Sequence, residues 1–272
     1  MTGPQPATAY THGHQESVLR SHRSRTAADS AAYLVPHLRP GQAVLDVGCG
    51  PGTITADLAE LVGPTGRVVA VDTSAEVLEA AARHAAGRGL SNVVFEVADV
   101  HGLPYADGEF DVVHAHQVLQ HVGDPVAALR EMRRVTAPDG VVAARDVDYA
   151  SMTWYPEVPE LDRWLDLYRR IARANGGEPD AGRRLMSWAG EAGFAEVTAS
   201  SSTWTFATPE RREWWGGMWA DRTVASSTAG TAVAEGLADR AELERIAGGW
   251  REWAKAEDGW FAMLHGEVLA RG

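Results

Sequence analysis

The sequence predicts an α/β fold, a mostly parallel sheet with helices on both faces, and three observations carry that prediction. Between residues 41 and 146 short β-rich runs alternate with helical windows instead of grouping as hairpins, the pattern of βαβ units joined by right-handed crossovers. Several of these runs are continuously apolar, as strands become when both faces are covered: Val44-Leu45, Val68 to Val71, and Val93 to Val97 broken only by Glu96. The chain has 272 residues, close to the limit of roughly 250 for one hydrophobic core, so a single domain with insertions is expected and two independent domains are not.

The elements follow in order. Met1 to Ala9 is rich in Pro, Thr and Gly, and order is expected from about Tyr10. Gln15 to Leu38 favours helix in two pieces, the second opened by a capping box between Thr26 and Asp29 and stopped at Arg39-Pro40-Gly41. Strands are predicted at Ala43 to Val47, Arg67 to Val71, Val93 to Val97, Phe110 to Ala115 and Gly140 to Asp146, with helices at Thr53 to Leu61, Ala75 to Gly87 and Pro125 to Val135. Beyond Tyr149 the texture changes. Leu161, Trp164, Leu165, Tyr168 and Ile171 line one face of a helix ending at Asn175-Gly176-Gly177, and a second helix is predicted from about Asp180 to Glu191. Glu196 to Phe206 and Trp260 to Leu269 read as strands, and Pro209 to about Val224 and Arg240 to Trp253 as helices. The division is therefore a helical leader or lid (1–40), a ligand-binding core (41–150), and the remaining strands carrying a helical cap (151–272), all in one continuous domain.

Composition narrows the partners. With 37 acidic and 25 basic residues the formal charge is −12, which opposes binding to nucleic-acid phosphates or anionic lipid, since both need clustered Lys and Arg. The single Cys49 excludes an internal disulfide framework and a cysteine-rich zinc site. The first thirty residues hold no apolar signal core and no later run reaches a membrane span, so a cytoplasmic protein is expected.

The most informative stretch is Val44-Leu45-Asp46-Val47-Gly48-Cys49-Gly50-Pro51-Gly52-Thr53, an apolar strand ending in an acid, then a glycine-rich turn that opens a helix. Such a turn brings backbone close to a ligand and aims helix N-terminal N–H groups at it, which suits a nucleotide-like cofactor. Counting from Gly48, the sixth position is Thr53 where a dinucleotide fingerprint needs glycine, so the spacing disfavours NAD and FAD.

This run resembles the first motif of class I S-adenosylmethionine-dependent methyltransferases. Four further stretches agree in order and separation: Val68-Val69-Ala70-Val71-Asp72; Ala98-Asp99-Val100; Leu103-Pro104-Tyr105 to Phe110-Asp111-Val112-Val113; and Leu129 to Val135 with Pro138-Asp139-Gly140, where Asp139 stands in place of the family's first Gly. The subgroup it is most similar to is the UbiE-like, or type 11, small-molecule methyltransferases, and the leader Tyr10-Thr11-His12-Gly13-His14 through Ser21 to Thr26 resembles an actinobacterial form of it. The resemblance implies a Rossmann-like seven-stranded, mostly parallel sheet with an antiparallel last strand, and S-adenosyl-L-methionine as cofactor. It assigns cofactor binding to Asp46, Gly48, Gly50, Asp72, Thr73, Asp99, Val100, His116 and Tyr10, with Asp72 on the ribose hydroxyls and Asp99 on the adenine amine.

The same resemblance sets His114 to Gln117 beside the reactive methyl group, where ligands collect beyond the carboxyl ends of the strands. His116 is the candidate base, its ordinary pKa near 6.5 suiting proton removal at neutral pH, and His14 is a second candidate from the leader. No metal is expected: His114, His116 and His121 lack ligand spacing. All ten tryptophans lie at position 154 or later. Trp164 and Trp250 read as core, whereas Trp214, Trp215 and Trp219 with Met218 fall on more than one face of their helix. Trp215, Met218 and Trp219 are therefore assigned to acceptor binding, with burial in a homo-oligomer as the competing expectation.

The expected reaction is methyl transfer to a hydrophobic or aromatic small molecule of secondary or quinone-like metabolism, on C, O or N. The alternatives are a cyclase or isomerase that uses the bound cofactor without net methyl transfer, and a non-catalytic binding protein.

Overall fold

The computed structural model describes residues 25–272. Among them the strands are β1 (Ala43–Val47), β2 (Arg67–Asp72), β3 (Val93–Val97), β4 (Phe110–His116), β5 (Thr136–Val147), β6 (Thr153–Tyr155), β7 (Glu196–Phe206) and β8 (Trp260–Arg271). The helices are α1 (Ala27–Ser30), α2 (Thr53–Val62), α3 (Ala75–Gly87), α4 (Pro125–Val135), α5 (Pro159–Ala174), α6 (Leu185–Glu191), α7 (Pro209–Ala225), α8 (Ser227–Ala234) and α9 (Arg240–Lys255).

One sheet contains every strand, in the order β3-β2-β1-β4-β5-β8, with β7 pairing the far edge of β8. The first five strands are parallel to one another, and β8 runs antiparallel to both β5 and β7. This is the expected seven-stranded Rossmann-like arrangement with its last strand reversed. An eighth strand, the three-residue β6, extends the β5 edge by pairing with Trp260 to Ala262 of β8.

Local chemistry accounts for the element starts. Thr26 and Asp29 form the capping box at α1. Ser74, Asp124, Thr208 and Asp239 cap α3, α4, α7 and α9 by accepting backbone N–H groups. Two departures from the sequence reading have physical causes. The leader's second helical piece ends after Ser30, where Ala31 leaves the helical conformation at φ −136°, and resumes only as a 3-10 turn at Val35–His37, with Pro36 in its first turn where the missing N–H costs nothing. The segment expected to be helical from Asp180 begins as a 3-10 turn (Ala181–Arg184), and there the backbones of Gly182 and Gly266 meet with no room for a Cβ on either.

Two clusters sandwich the parallel part of the sheet, one under α1 and α2 and the other under α4 and α6. A third, rich in aromatic rings, gathers α5, α7 and α9 against the ends of β7 and β8, with Trp250 and Trp253 fully buried.

Asp146, at the end of β5, is fully buried, and its Oδ1 accepts the Gln120 N–H at 3.2 Å. Burial pushes its carboxyl up to about 7. A carboxyl raised in the folded state contributes stability that is full below its unfolded pKa and is lost as pH rises through the folded one. Asp146→Asn keeps the acceptor for Gln120 without a titrating group. The variant is expected to gain on the parent between pH 4.5 and pH 8, by up to about 4 kcal/mol in denaturant unfolding. A difference that stays flat across that range would contradict the assignment.

Candidate active site

The carboxyl ends of β1, β2, β3 and β4 converge on the glycine loop. Gly48, Gly50 and Gly52 all have positive φ, at 64°, 54° and 77°. A Cβ on Gly48 would lie 2.5 Å from Val118 Cγ2, so both conformation and space require glycine there. The loop is fixed from β2: Cys49 N–H donates to Val71 O at 3.0 Å, and Gly50 N–H donates to Asp72 Oδ2 at 3.1 Å. The other oxygen, Asp72 Oδ1, accepts Ser74 N–H at 3.1 Å, which orients the carboxylate at the mouth of the loop. Thr73 beside it is exposed.

Asp99 follows β3 with its side chain 68% exposed. Its Oδ1 accepts both the backbone N–H of His101, at 2.9 Å, and the ring Nδ1, at 2.8 Å. Those bonds, the backbone one foremost, hold the carboxyl below its ordinary range, so it is ionised at neutral pH. Val100 is buried beneath it. Asp72 is bonded to the loop, and Asp99 follows the neighbouring strand β3 with an exposed carboxylate.

Asp46 is 2% exposed, and it accepts Thr55 Oγ1 at 2.5 Å through one oxygen and His114 Nδ1 at 2.8 Å through the other. It therefore joins β1, β4 and the first turn of α2, a scaffold role that is compatible with the expected cofactor contact. His114, fully buried, is occupied by the same pair.

His116 differs from His114 although both project from one face of β4. It is 6% exposed, and among the described residues neither ring nitrogen has a hydrogen-bond partner. The rings of Trp204 and His265 lie 5.7 and 6.3 Å away, centre to centre. Burial and the charge of Arg145 hold its pKa well below 6.5, so the ring is neutral and one nitrogen can accept a hydrogen bond. Gln117, at φ 55°, leaves the strand in a left-handed conformation; its side chain accepts from Arg25 at 2.8 Å and meets His265 Nε2 at 2.9 Å.

A polar row crosses the sheet beside His116. In register, His116 faces Arg145, Arg145 faces Glu267, and Glu267 faces Ser200. Arg145 is fully buried and its Nε contacts Glu267 Oε1 at 3.2 Å, while Glu267 also accepts from Ser200, at 2.7 Å, and from Ser202. Sequence reasoning passed over Arg145, Glu267 and Tyr33. A charged residue inside the apolar run Val141 to Val147 was the available signal.

The acceptor assignments on α7 are corrected in part. Trp215 and Met218 are each 4% exposed and belong to the aromatic core, Trp215 stacking on Phe206 at 4.1 Å. Helix α7 is covered on one side by β7 and β8 and on another by α9, so more than one of its faces is interior. Trp219, also 4% exposed and part of that core, borders a cleft shared with Trp164, Tyr168, Arg222, Thr223 and Leu243. Trp164, read as core, is thus also a cleft wall. Tyr10 and His14 lie outside the described residues.

A family model described as a methyltransferase domain matches residues 38–193. The chain is 33% identical over 277 residues to an uncharacterized methyltransferase of Schizosaccharomyces pombe, spanning 99% of this chain and 98% of that protein. It is 33% identical over 180 residues to the ubiquinone/menaquinone biosynthesis C-methyltransferase UbiE of Ectopseudomonas mendocina, covering 61% of this chain and 70% of that one. Among solved structures, the YcgJ protein from Bacillus subtilis shares the fold at a TM-score of 0.57 and 17% identity, over 88% of this chain and 97% of that one.

Proposed function

This chain belongs to the class I S-adenosylmethionine-dependent methyltransferases, and we propose that within that family it methylates a hydrophobic, aromatic small molecule of quinone-like or secondary metabolism. The observation that carries the cofactor half is the glycine loop bonded to Asp72 through the Gly50 N–H. The residues fit the group: Asp72 stands oriented at the glycine loop by its two backbone bonds, and Asp99, after the neighbouring strand, carries an exposed carboxylate. Asp72 would hold the ribose hydroxyls, Asp99 the adenine amine and the Val100 backbone the ring edge. The cofactor supplies a methyl group already activated on a sulfonium, so the protein's task is to align the acceptor and exclude water.

The aromatic cleft of Trp164, Tyr168 and Trp219 supports an apolar acceptor, since such walls give large contact area at little rotamer cost. Tyr168 stacks at 4.2 Å on Tyr149, two residues beyond β5. The UbiE-like relatives support a ring-bearing acceptor, and the charge of −12 supports a small molecule over a nucleic acid.

The test is incubation of the full chain with methyl-labelled S-adenosylmethionine and hydrophobic metabolite extracts. Label entering an extractable product with equimolar S-adenosylhomocysteine is expected. Acceptor consumed without S-adenosylhomocysteine would replace the proposal with a cyclase or isomerase.

A further inference from the structure

We propose that His116, Arg145 and Tyr33 together form the recognition site for a hydroxyl group of the acceptor, and that the acceptor is a phenol or enol methylated on that oxygen. The inference rests on the methyltransferase reading and deepens it by naming the substrate class.

The argument starts from which polar atoms are matched. Around the row His116–Arg145–Glu267–Ser200 the supporting groups are satisfied. Glu267 holds Ser200, Ser202 and Arg145 Nε, and Arg145 Nη2 reaches Ser202 Oγ at 3.0 Å. His265 Nδ1–H donates to Met263 O at 3.1 Å, leaving Nε2 to accept from the Gln117 amide at 2.9 Å. Beside these supports, four buried atoms have no hydrogen-bond partner among the described residues: Arg145 Nη1, Tyr33 Oη, whose electrostatic neighbours include Arg145, and both ring nitrogens of His116, which faces Arg145 in register. An unmatched buried polar atom costs about 1–3 kcal/mol, so several together, backed by matched neighbours, describe a site built for a ligand.

Their chemistry selects the ligand. Arg145 offers only donors, Tyr33 a donor, and His116, neutral in this setting, one nitrogen that accepts. A hydroxyl meets all three: its O–H donates to His116 while its oxygen accepts from Arg145 and Tyr33. A carboxylate brings no proton for His116, and an ammonium would face the Arg145 charge. An aliphatic alcohol is too weak an acid for an imidazole to deprotonate, whereas a phenol, with a pKa of about 10, comes within reach beside a guanidinium. Trp204, whose ring lies 4.9 Å from the Arg145 guanidinium carbon and packs on the aromatic core, gives the same place an apolar wall for the ring that bears the hydroxyl.

The step balances as follows. An oxygen lone pair forms the new bond to the methyl carbon while the hydroxyl proton, held in a hydrogen bond to His116, leaves the oxygen. The carbon–sulfur bond breaks with its electron pair remaining on sulfur, leaving a neutral thioether, and the proton is relayed by His116 to water, so that the ring ends neutral beside Arg145.

The test is calorimetry on the full chain with S-adenosylhomocysteine present, using 1-naphthol and its methyl ether as probes. The wild type is expected to bind 1-naphthol at least tenfold more tightly than the ether. Arg145→Gln should reduce that preference below twofold. Tyr33→Phe, which removes only a hydroxyl without a described partner, should lower 1-naphthol affinity several-fold, leave the ether unchanged and leave the melting temperature equal or higher. Failure of 1-naphthol to bind, equal binding of the two probes, or a preference that survives both substitutions would overturn the proposal. Titration with S-adenosylhomocysteine alone reports on the cofactor site, so loss of that signal would strike the methyltransferase reading separately.

Discussion

Replacing Asp72 with alanine is expected to weaken S-adenosylhomocysteine binding about a hundredfold, measured by calorimetry on the full chain. The carboxylate accepts Gly50 N–H and Ser74 N–H, one on each oxygen, and these bonds set both the glycine loop and the start of α3. Hydrogen bonds to a charged group contribute about 1.5–3 kcal/mol each. Losing the loop anchor and the ribose contact together therefore removes roughly 3 kcal/mol, or two powers of ten in affinity. Asp72→Asn retains one acceptor and should fall between. Unchanged affinity in Asp72→Ala would mean that the second strand's acid only caps the turn.

Gly266→Ala is expected to cost the fold more than about 4 kcal/mol, in the range reserved for severe steric faults. Gly266 lies in β8, bonded to β5 on one side and β7 on the other, so its backbone cannot retreat. An added Cβ would drive into the carbonyl of Gly182, which is equally crowded: a Cβ there would lie 2.8 Å from both Asp146 O and Gly266 N. For a chain of this size each kcal/mol lowers the melting temperature by about 2–4 °C, so thermal denaturation should show a drop of roughly 10 °C or failure to accumulate soluble protein. A drop of a degree or two would mean that the 181–184 turn swings aside without cost.

The two sites differ in how far they could be read from the sequence. Gly48, Gly50, Asp72 and Asp99 were legible because a strand, a turn and a helix start adjoin along the chain and the turn chemistry is local. Their tertiary roles follow from parallel pairing of β1, β2 and β3, which the alternation of elements already implies. Asp46 was legible as a strand-terminal acid, but nothing local showed that His114, 68 residues away, would occupy it. The α7 tryptophans misled for the same reason: a helix's periodicity gives the angle between its faces, not how many of them are covered.

The sequence by itself determined the sheet's parallel core, its order of elements, the glycine loop after β1 with the acid that ends β2, and the family. Tertiary structure alone decided that Trp215 and Met218 belong to the core, that Asp46 and His114 form a buried pair, and that His116 stands in one row with Arg145 and Glu267. The physical reason is range. Turn and strand propensities act over a few neighbouring residues, whereas Arg145 and Glu267 meet across 122 positions through the register of an antiparallel strand inserted last. Such a register is set by the packing of both sheet faces together, and no single stretch of sequence contains it.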